Sequence, residues 1–498
     1  MKLLLALLLA ASSVFAAPVP QWGPVSRPLV DGAFAKEGLD TDNTGRSFSV
    51  GYETPLGDIH ALLSIRDAAA PGAIFNTITA PSALMGGGQA SCYAGVDAEA
   101  NGTAVFAVGT HFPTGINGPA TRLLVTKWTP LGALLAVNTM AAIPGLAGQE
   151  VWGCRVVISP IAIQNNNNIA QSVIFVSGCT EKGMFLLCLD KNTLVPTPAW
   201  GNNGAFSVAT TNGCPKHPMP GIFPNQTLFA SCRQSFFEIS GVNGFLGGTL
   251  INQGGNYEHT VAKVRLTAPM AGFLVTPFLV QRYTVTTNSG LKAMAVAGMS
   301  PATAVVTLVG GGFDSGWRSQ TGLPAFASQG LAFAGAALMP APQTMNDVEM
   351  QPMQFGLMSG VFIHIGGKHN GGNGGGSPNG QVFTFWCPTS PPGAPAFNWS
   401  VNYGSPADPV NEVYDLAAGG PANLIFATGG TKSGLLYDTP LLEITLPGVA
   451  TTGAAGSSTW PDRGNAALYH AGGTVFTHGN QQSVGPALWY GRNVRWNP

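Results

Sequence analysis

Short runs in which apolar and polar residues alternate recur along the whole chain. Residues 122–128 (RLLVTKW) and 361–367 (VFIHIGG) are clear examples. This alternation has the period of two that pleated strands show, and no window keeps a helical period with capping residues at its ends. The pattern therefore predicts an all-β protein.

Many of these runs end in glycine, and the glycines are regularly spaced. Successive glycines of this kind lie between 50 and 69 residues apart. We call them the marker glycines, and they are Gly51, Gly109, Gly178, Gly241, Gly310, Gly366, Gly429 and Gly479. A period of this length indicates a repeat architecture. The mark at Gly241 is the weakest of the eight.

Each repeat carries about four strands, which is typical of a β-propeller. The clearest copy reads CYAGVDA, AVFAVG, TRLLVTKW and ALLAVNTM in turn. The spacing predicts seven or eight four-stranded blades, with eight favoured. After Gly479 only one good strand remains, so we expect residues 26–32 to supply the missing outer strand and to close the ring. Two packed β-sandwiches and an open β-solenoid are the alternatives.

The N-terminus has the form of a secretory signal peptide. Lys2 precedes an apolar stretch, and Val14 and Ala16 are the small residues that signal peptidase reads. We expect a signal peptide over residues 1–16, a single propeller domain over 17–498, no membrane span, and secretion to the extracellular space, cell wall or matrix.

Charged residues make up only 9% of the chain, and the formal net charge is -1. Because so few basic residues cannot form an extended basic surface, we do not expect the protein to bind nucleic acid. So low a charge suits a protein that associates within a wall or matrix.

The seven cysteines are too few to form the framework of so large a fold. We expect local disulfides, Cys179 with Cys188 and Cys214 with Cys232. Asn101, Asn225 and Asn398 begin Asn-x-Ser/Thr sequons and are the predicted glycosylation sites of a glycoprotein.

One repeat resembles the SBBP-type family of secreted β-propellers. The match covers the Val96–Asp97 pair, the Asn101–Gly102 turn, Gly109–Thr110, Phe112–Pro113, Lys127, and Pro130 with Gly132. The paired glycines at 366–367 and 429–430 are faintly kelch-like. This resemblance implies a propeller fold and export. The family brings no general catalytic motif.

In a propeller, loops at equivalent positions in successive blades open on one face. The loops that follow the marker glycines therefore form a candidate ligand-binding ring. A tryptophan ring with flanking polar groups, as in this set, is suited to bind a sugar. Its predicted members are His111, Asp314, Trp317, Arg318, Lys368, His369, Asn370, Lys432, Asn480 and Gln481.

A metal alternative rests on His470 and His478, which bracket a hairpin, and on Tyr469. Imidazole is a common copper ligand. The Tyr469–His470 pair also resembles the copper-binding pair of galactose-oxidase-like propeller enzymes. A carboxylate hydrolase using Asp314, Glu181 and Asp438 is a second enzyme alternative.

The sequence thus favours a binding or structural surface protein over an enzyme, with an extracellular glycan or a protein as its partner and no cofactor. Copper remains the alternative cofactor, and the catalytic residues are unknown.

Overall fold

The computed structural model describes residues 19–497 with interruptions. The segments outside the description are 27–31, 55–58, 68–73, 80–88, 116–117, 119, 147–149, 165–168, 211, 217–232, 268–278, 285–289, 299–304, 311–314, 320–342, 356, 370–378, 391–394, 404–410, 420–423, 434–435, 439–440, 446–448, 454–461, 471–472 and 483–488. The signal-peptide prediction lies outside the described residues.

The described chain is all-β, as predicted, and it begins with an N-terminal strand and three sheets. Strand β1 is Val19–Ser26. Sheet 1 contains β2 (Gly32–Thr41), β3 (Ser47–Glu53), β4 (His60–Arg66) and β5 (Ile74–Thr79). Sheet 2 contains β6 (Ala90–Ala98), β7 (Val105–Phe112), β8 (Arg122–Trp128) and β9 (Leu134–Met140). Sheet 3 contains β10 (Val151–Ile158), then β13 (Val173–Thr180), β14 (Gly183–Asp190) and β15 (Ala205–Ala209), with β11 (Ile163–Gln164) and β12 (Ala170–Gln171) as a separate small hairpin.

Three further sheets follow in chain order. Sheet 4 contains β16 (Ser235–Ser240), β17 (Asn243–Ile251), β18 (Tyr257–Arg265) and β19 (Leu279–Thr284). Sheet 5 has three described strands, β20 (Leu291–Ala297), β21 (Val305–Gly310) and β22 (Ser315–Ser319). Sheet 6 contains β23 (Gln343–Phe355), β24 (Met358–His369), β25 (Asn379–Ser390) and β26 (Ala396–Tyr403).

The last two sheets bring the chain ends together. Sheet 7 contains β27 (Glu412–Gly419), β28 (Leu424–Ser433), β30 (Leu441–Thr445) and β31 (Val449–Gly453), and β29 (Leu436–Asp438) pairs with the end of β28. Sheet 8 contains β32 (Asp462–His470), β33 (Thr474–Gln482) and β34 (Trp489–Asn497), and its outer strand is β1, antiparallel to β34. The N-terminus does supply this strand, but from Val19–Ser26 rather than from residues 26–32.

The first strands of the eight sheets contact one another in a cycle. Each of β2, β6, β10, β16, β20, β23, β27 and β32 contacts the next, and β32 contacts β2. Apolar side chains fill the spaces between neighbouring sheets, for example Phe106, Val108 and Phe185 between sheets 2 and 3. This is a β-propeller-like arrangement, in which each sheet buries its faces against its two neighbours.

The marker glycines explain how the first and second strands of a sheet pair. Seven of the eight lie in a second strand, opposite a register shift in the first strand. Gly109 pairs with Tyr93 next to the shift between Tyr93 and Gly95. A side chain at Gly109 would place Cβ 1.9 Å from the Cys92 carbonyl oxygen. Glycine thus makes room for a bulge that pushes a carbonyl towards the second strand.

Sheet 4 is the exception, and its marker was the weakest in the sequence. Gly241 lies between β16 and β17 with a positive φ of 60°, and β16 pairs with β17 without a register shift. The sequence signal was therefore strongest where a bulge exists. No helix occurs in the described residues, so none there is a candidate to span a membrane.

Candidate functional site

A cavity of about 360 Å³ lies where the first strands of the sheets meet. The first strand of every one of the eight sheets contributes at least one lining residue. This volume is within the range of sites that bind small molecules. We call this space the central cavity.

Charged side chains are concentrated in the central cavity although they are scarce in the chain. Seven of the 23 acidic residues line it, together with two of the 22 basic ones, Lys36 and Arg155. The acidic set is Glu37, Asp40, Asp97, Glu238, Asp347, Glu349 and Asp415. If all nine were ionised, the cavity would carry a clear excess of negative charge.

The bulges direct several of these side chains. The register resumes at Arg155 in β10, at Asp347 in β23 and at Asp415 in β27. A bulge inserts one residue, and so it re-aims the side chains that follow it. The glycine signature, the bulge and the charged lining are consequently parts of one local structure.

Four aspartates connect adjacent sheets. Asp40 Oδ2 accepts a hydrogen bond from the Ala98 amide at 2.6 Å, and Asp97 Oδ2 accepts one from the Ile158 amide at 2.5 Å. Asp347 Oδ2 accepts a hydrogen bond from the Leu416 amide at 2.9 Å, and Asp415 Oδ2 accepts one from the Ala467 amide at 2.8 Å. These carboxyl groups are structural, because each satisfies a backbone amide of the next sheet.

Burial raises the pKa of these aspartates. The pKa of Asp40 rises to about 6, and burial together with the nearby Asp40 raises the pKa of Asp97 well above its ordinary value. Burial and the charge of Asp347 likewise raise the pKa of Asp415. These groups therefore keep their protons to a higher pH than an exposed aspartate does.

Arg155 holds two glutamates from other sheets. Its Nη1 lies 3.1 Å from Glu37 Oε2 and 3.0 Å from Glu238 Oε1. Burial alone would lower the pKa of Arg155, but Glu238 and Glu37 raise it. Arg155 stays charged, and sheets 1, 3 and 4 meet at one guanidinium group.

Glu349 and Lys36 complete the lining. Lys36 Nζ donates to Asp347 Oδ1 at 2.9 Å and to the Asn346 carbonyl at 2.6 Å. Burial, with the charges of Asp347 and Glu238, raises the pKa of Glu349 well above its ordinary value. Both cavity cations thus already hold carboxylates, and Glu349 would add a further negative charge if it were ionised.

The central cavity is suited to bind a positively charged group. A cation entering it would gain charge-assisted hydrogen bonds from glutamate oxygens and would displace protons from carboxyl groups. Val96, Val156 and Ala417 also border the cavity, and their side chains pack in the apolar clusters between sheets.

The predicted loop ring is placed differently from expectation. His111, Lys368, His369, Lys432, Asn480 and Gln481 lie in strands, and so do Trp317 and Arg318. The prediction that they lie in loops was wrong, because the second strand of a sheet continues past its marker glycine, and because Trp317 and Arg318 belong to the third strand of sheet 5. His111 is buried, and burial lowers its pKa. Asp314 and Asn370 lie outside the described residues, and for Trp317, Arg318, His369, Lys432, Asn480 and Gln481 only the backbone is described.

The residues of the copper hypothesis connect sheet 8 to sheet 1 or pack in the core. The Nε2 atom of His478 bonds the Ala35 carbonyl at 2.8 Å, and that of His470 bonds the Asp42 carbonyl at 3.0 Å. Tyr469 stacks on Phe426. Across the described part of the chain, no group of three or more His, Cys, Asp or Glu side chains could hold a metal ion. The structure does not bring the two histidines together, since His470 pairs with Thr474 and His478 with Ala466.

The predicted disulfide between Cys179 and Cys188 is wrong. Cys179 lies opposite Met184, and Cys188 lies opposite Phe175, so the pairing of β13 with β14 separates them along the strands. Both are free thiols, as is Cys214, whose predicted partner Cys232 lies outside the described residues. Asn101 and Asn398 are exposed, while Asn225 is also outside the description.

Sequence reasoning missed the central cavity. Val96 and Asp97 were noted only as part of a family resemblance, and Glu37, Glu238 and Glu349 were not singled out. The usable signal was a carboxylate within a few residues of the expected bulge, as in β2, β6, β23 and β27. Simple alternation hides it, because the bulge changes which face a side chain occupies.

Comparison with known proteins gives no family assignment. No protein-family profile matches the chain, and no curated protein matches it. Among solved structures, it is similar to a eukaryotic initiation factor (TM-score 0.36, 10% identity, covering 89% of this chain and 92% of that one). It is also similar to Sqt1 of Chaetomium thermophilum (TM-score 0.33, 11% identity, 94% and 86% covered) and to the Bombyx mori GH32 β-fructofuranosidase BmSUC1 (TM-score 0.31, 9% identity, 96% and 92% covered).

Proposed function

We propose that this chain is a secreted, eight-bladed β-propeller that binds a small organic cation in its central cavity. The observation that carries the proposal is the accumulation of seven acidic side chains around one cavity in a chain with so few charges. The cycle of contacts among eight first strands supports the blade number. The N-terminal pattern supports export.

The cavity favours an organic cation over a bare metal ion. Its volume of about 360 Å³ is far larger than a dehydrated ion requires. Across the described residues, no group of three or more His, Cys, Asp or Glu side chains could hold a metal ion. Recognition of a glycan or a protein through the residues of the predicted ring remains a separate proposal that rests on the sequence alone.

The direct test is calorimetric titration of the secreted protein with putrescine, CaCl₂ and a neutral oligosaccharide. We expect putrescine to bind. Changing Glu238 and Glu349 together to glutamine should weaken binding by about tenfold or more, because a hydrogen bond to a charged group contributes roughly 1.5–3 kcal/mol.

Glu258→Gln is the matched control for this titration. Glu258 lies on the third strand of sheet 4, where it accepts a hydrogen bond from the Asn252 side chain, and it does not line the central cavity. The control removes one carboxyl group outside the cavity, against two inside it in the double variant, and should leave putrescine binding unchanged. Absence of putrescine binding, or equal binding by the double variant, would contradict the proposal. Binding of the oligosaccharide alone would favour recognition through the residues of the predicted ring.

Binding of a permanent cation should strengthen as the pH rises. The ligand prefers ionised carboxylates, and burial raises the pKa of Asp40 to about 6 and those of Glu238 and Glu349 above their ordinary values. Below these pKa values the groups are protonated and attract a cation weakly. We expect tetramethylammonium, whose charge does not titrate, to bind more tightly at pH 7.5 than at pH 5. A flat pH profile would show that these carboxyl groups do not meet the ligand.

A further inference from the structure

Three buried thiols lie close together at the boundary of sheets 3 and 4. Cys154 belongs to the bulge of β10, Cys179 lies in β13, and Cys214 follows β15. All three are buried free thiols, and Cys179 and Cys214 belong to one apolar cluster. None of them lines the central cavity.

Cys154 and Cys179 are the closest of these by strand pairing. Strands β10 and β13 are hydrogen-bonded neighbours, with Cys179 opposite Trp152 and the register shift between Gly153 and Arg155. The Cys179 side chain faces sheet 4, because it packs in the apolar cluster that contains Phe237 and Leu246 of that sheet. The Cys154 thiol also contacts sheet 4, donating to the Arg233 carbonyl at 3.5 Å and accepting from the Ser235 amide at 3.4 Å.

We propose that Cys154 and Cys179 form a disulfide in the exported protein. Both side chains face sheet 4 from paired strands, and the two residues are diagonal neighbours, which lie about 7–8 Å apart in a regular ladder. A disulfide requires a Cα separation of about 4.4–6.8 Å, so the bond forms with a small closure at the bulge that contains Cys154. Cys214 belongs to the same apolar cluster as Cys179, but it lies outside the strands of the sheet and lacks this constraint. The bond would replace the predicted link between Cys179 and Cys188.

The oxidation is a thiol–disulfide exchange. Cys154 and Cys179 lose two protons and two electrons as the S–S bond forms, and a protein or small-molecule disulfide accepts the electrons and becomes two thiols. Both thiols are buried in the folded chain, so the exchange takes place while the chain folds. It requires an oxidising compartment, which the predicted signal peptide would provide.

The disulfide would also fix a residue of the central cavity. Arg155 directly follows Cys154 at the bulge and holds Glu37 and Glu238. A covalent link at Cys154 would restrict the bulge and so the direction of the Arg155 side chain.

The digestion pattern makes the test direct, because each of the seven cysteines lies on a different tryptic peptide. Protein secreted into the medium is denatured, treated with N-ethylmaleimide and digested without reductant, and the peptides are identified by mass spectrometry. We expect peptides 128–155 and 156–182 as one disulfide-linked species, and peptide 183–191, with Cys188, in the alkylated form.

Two variants and one reference complete the experiment. Cys154→Ser should leave Cys179 alkylated, whereas Cys188→Ser, a matched buried thiol in the same sheet, should keep the linked pair. Protein made in a reducing cytosol should have both peptides alkylated. The proposal is overturned if the secreted wild type has both thiols alkylated, or if peptide 156–182 is linked to 192–216 or to any other peptide. The peptide map of the wild-type protein decides the question, so the test does not depend on whether Cys154→Ser folds well.

Discussion

Gly109→Ala should destabilise the protein by about 3 kcal/mol or more, the upper part of the range for forcing atoms into a packed interior. The new Cβ would lie 1.9 Å from the Cys92 carbonyl oxygen and 2.6 Å from the Tyr93 Cα. Both neighbours are backbone atoms of the bulged strand, so neither can rotate away. Relief requires β6 to separate from β7 or the bulge to disappear. Urea denaturation of the variant and the wild type at neutral pH measures the loss.

Gly254→Ala is the control for this substitution. A Cβ there would meet only the Asn252 and Asn256 side chains, at 3.4 Å, which is ordinary contact. We expect its free energy of unfolding to change by less than about 0.5 kcal/mol, as for most surface substitutions. If Gly109→Ala were equally mild, the glycine would not be needed for the bulge.

Arg155→Met should also be strongly destabilising at pH 7.5, by about 3 kcal/mol. Removing one partner of a buried ion pair leaves the other charge without compensation, which typically costs about 3–5 kcal/mol. The lower end applies because the Arg155 side chain is 28% exposed. Here two carboxylates, Glu37 and Glu238, lose their partner together. Urea denaturation is preferred to guanidinium, which would screen the charges.

The loss of unfolding free energy caused by Arg155→Met should be smaller at pH 5 than at pH 7.5. Without the guanidinium, the folded-state pKa values of Glu238 and Glu349 exceed their unfolded values further. A carboxyl group with a raised folded pKa costs stability as the pH rises through that interval, and it costs less below it. Adding Glu238→Gln should recover part of the loss at pH 7.5. Arg122→Met, at an exposed position in β8, is the control, and an equal loss there would refute the role of the cavity charges.

Much of the fold could be predicted from the sequence, because the repeat left a backbone signature. The glycines at Gly51, Gly109, Gly178 and Gly429 occur where a neighbouring strand approaches too closely for a side chain or pairs beside a register shift. Such a constraint can be read without coordinates. The N-terminal contribution to the last sheet was also predictable, since a strand was missing after Gly479 and one was available at the other end.

The site could not be predicted in the same way. The polar residues after each glycine suggested loops, but His111 and Lys368 continue their strands. Arg155, Asp347 and Asp415 face the central cavity because of one inserted residue, and a single insertion is invisible to a count of alternating positions. Convergence of Glu37, Glu238 and Glu349 also depends on contacts between sheets far apart in the chain. Side-chain direction and long-range closure therefore needed the coordinates.

The pairing of β1 with β34 has a consequence for biosynthesis. Strand β1 cannot pair until β34 has been synthesised, so this contact forms after the strands of all the intervening sheets have been made. During that interval the edges of β2 and β32, which later contact each other, are exposed to chaperones and to misassembly with other nascent chains. A circular permutant that joins the old ends and begins between two sheets would move this delay to a different sheet while leaving the mature ring intact.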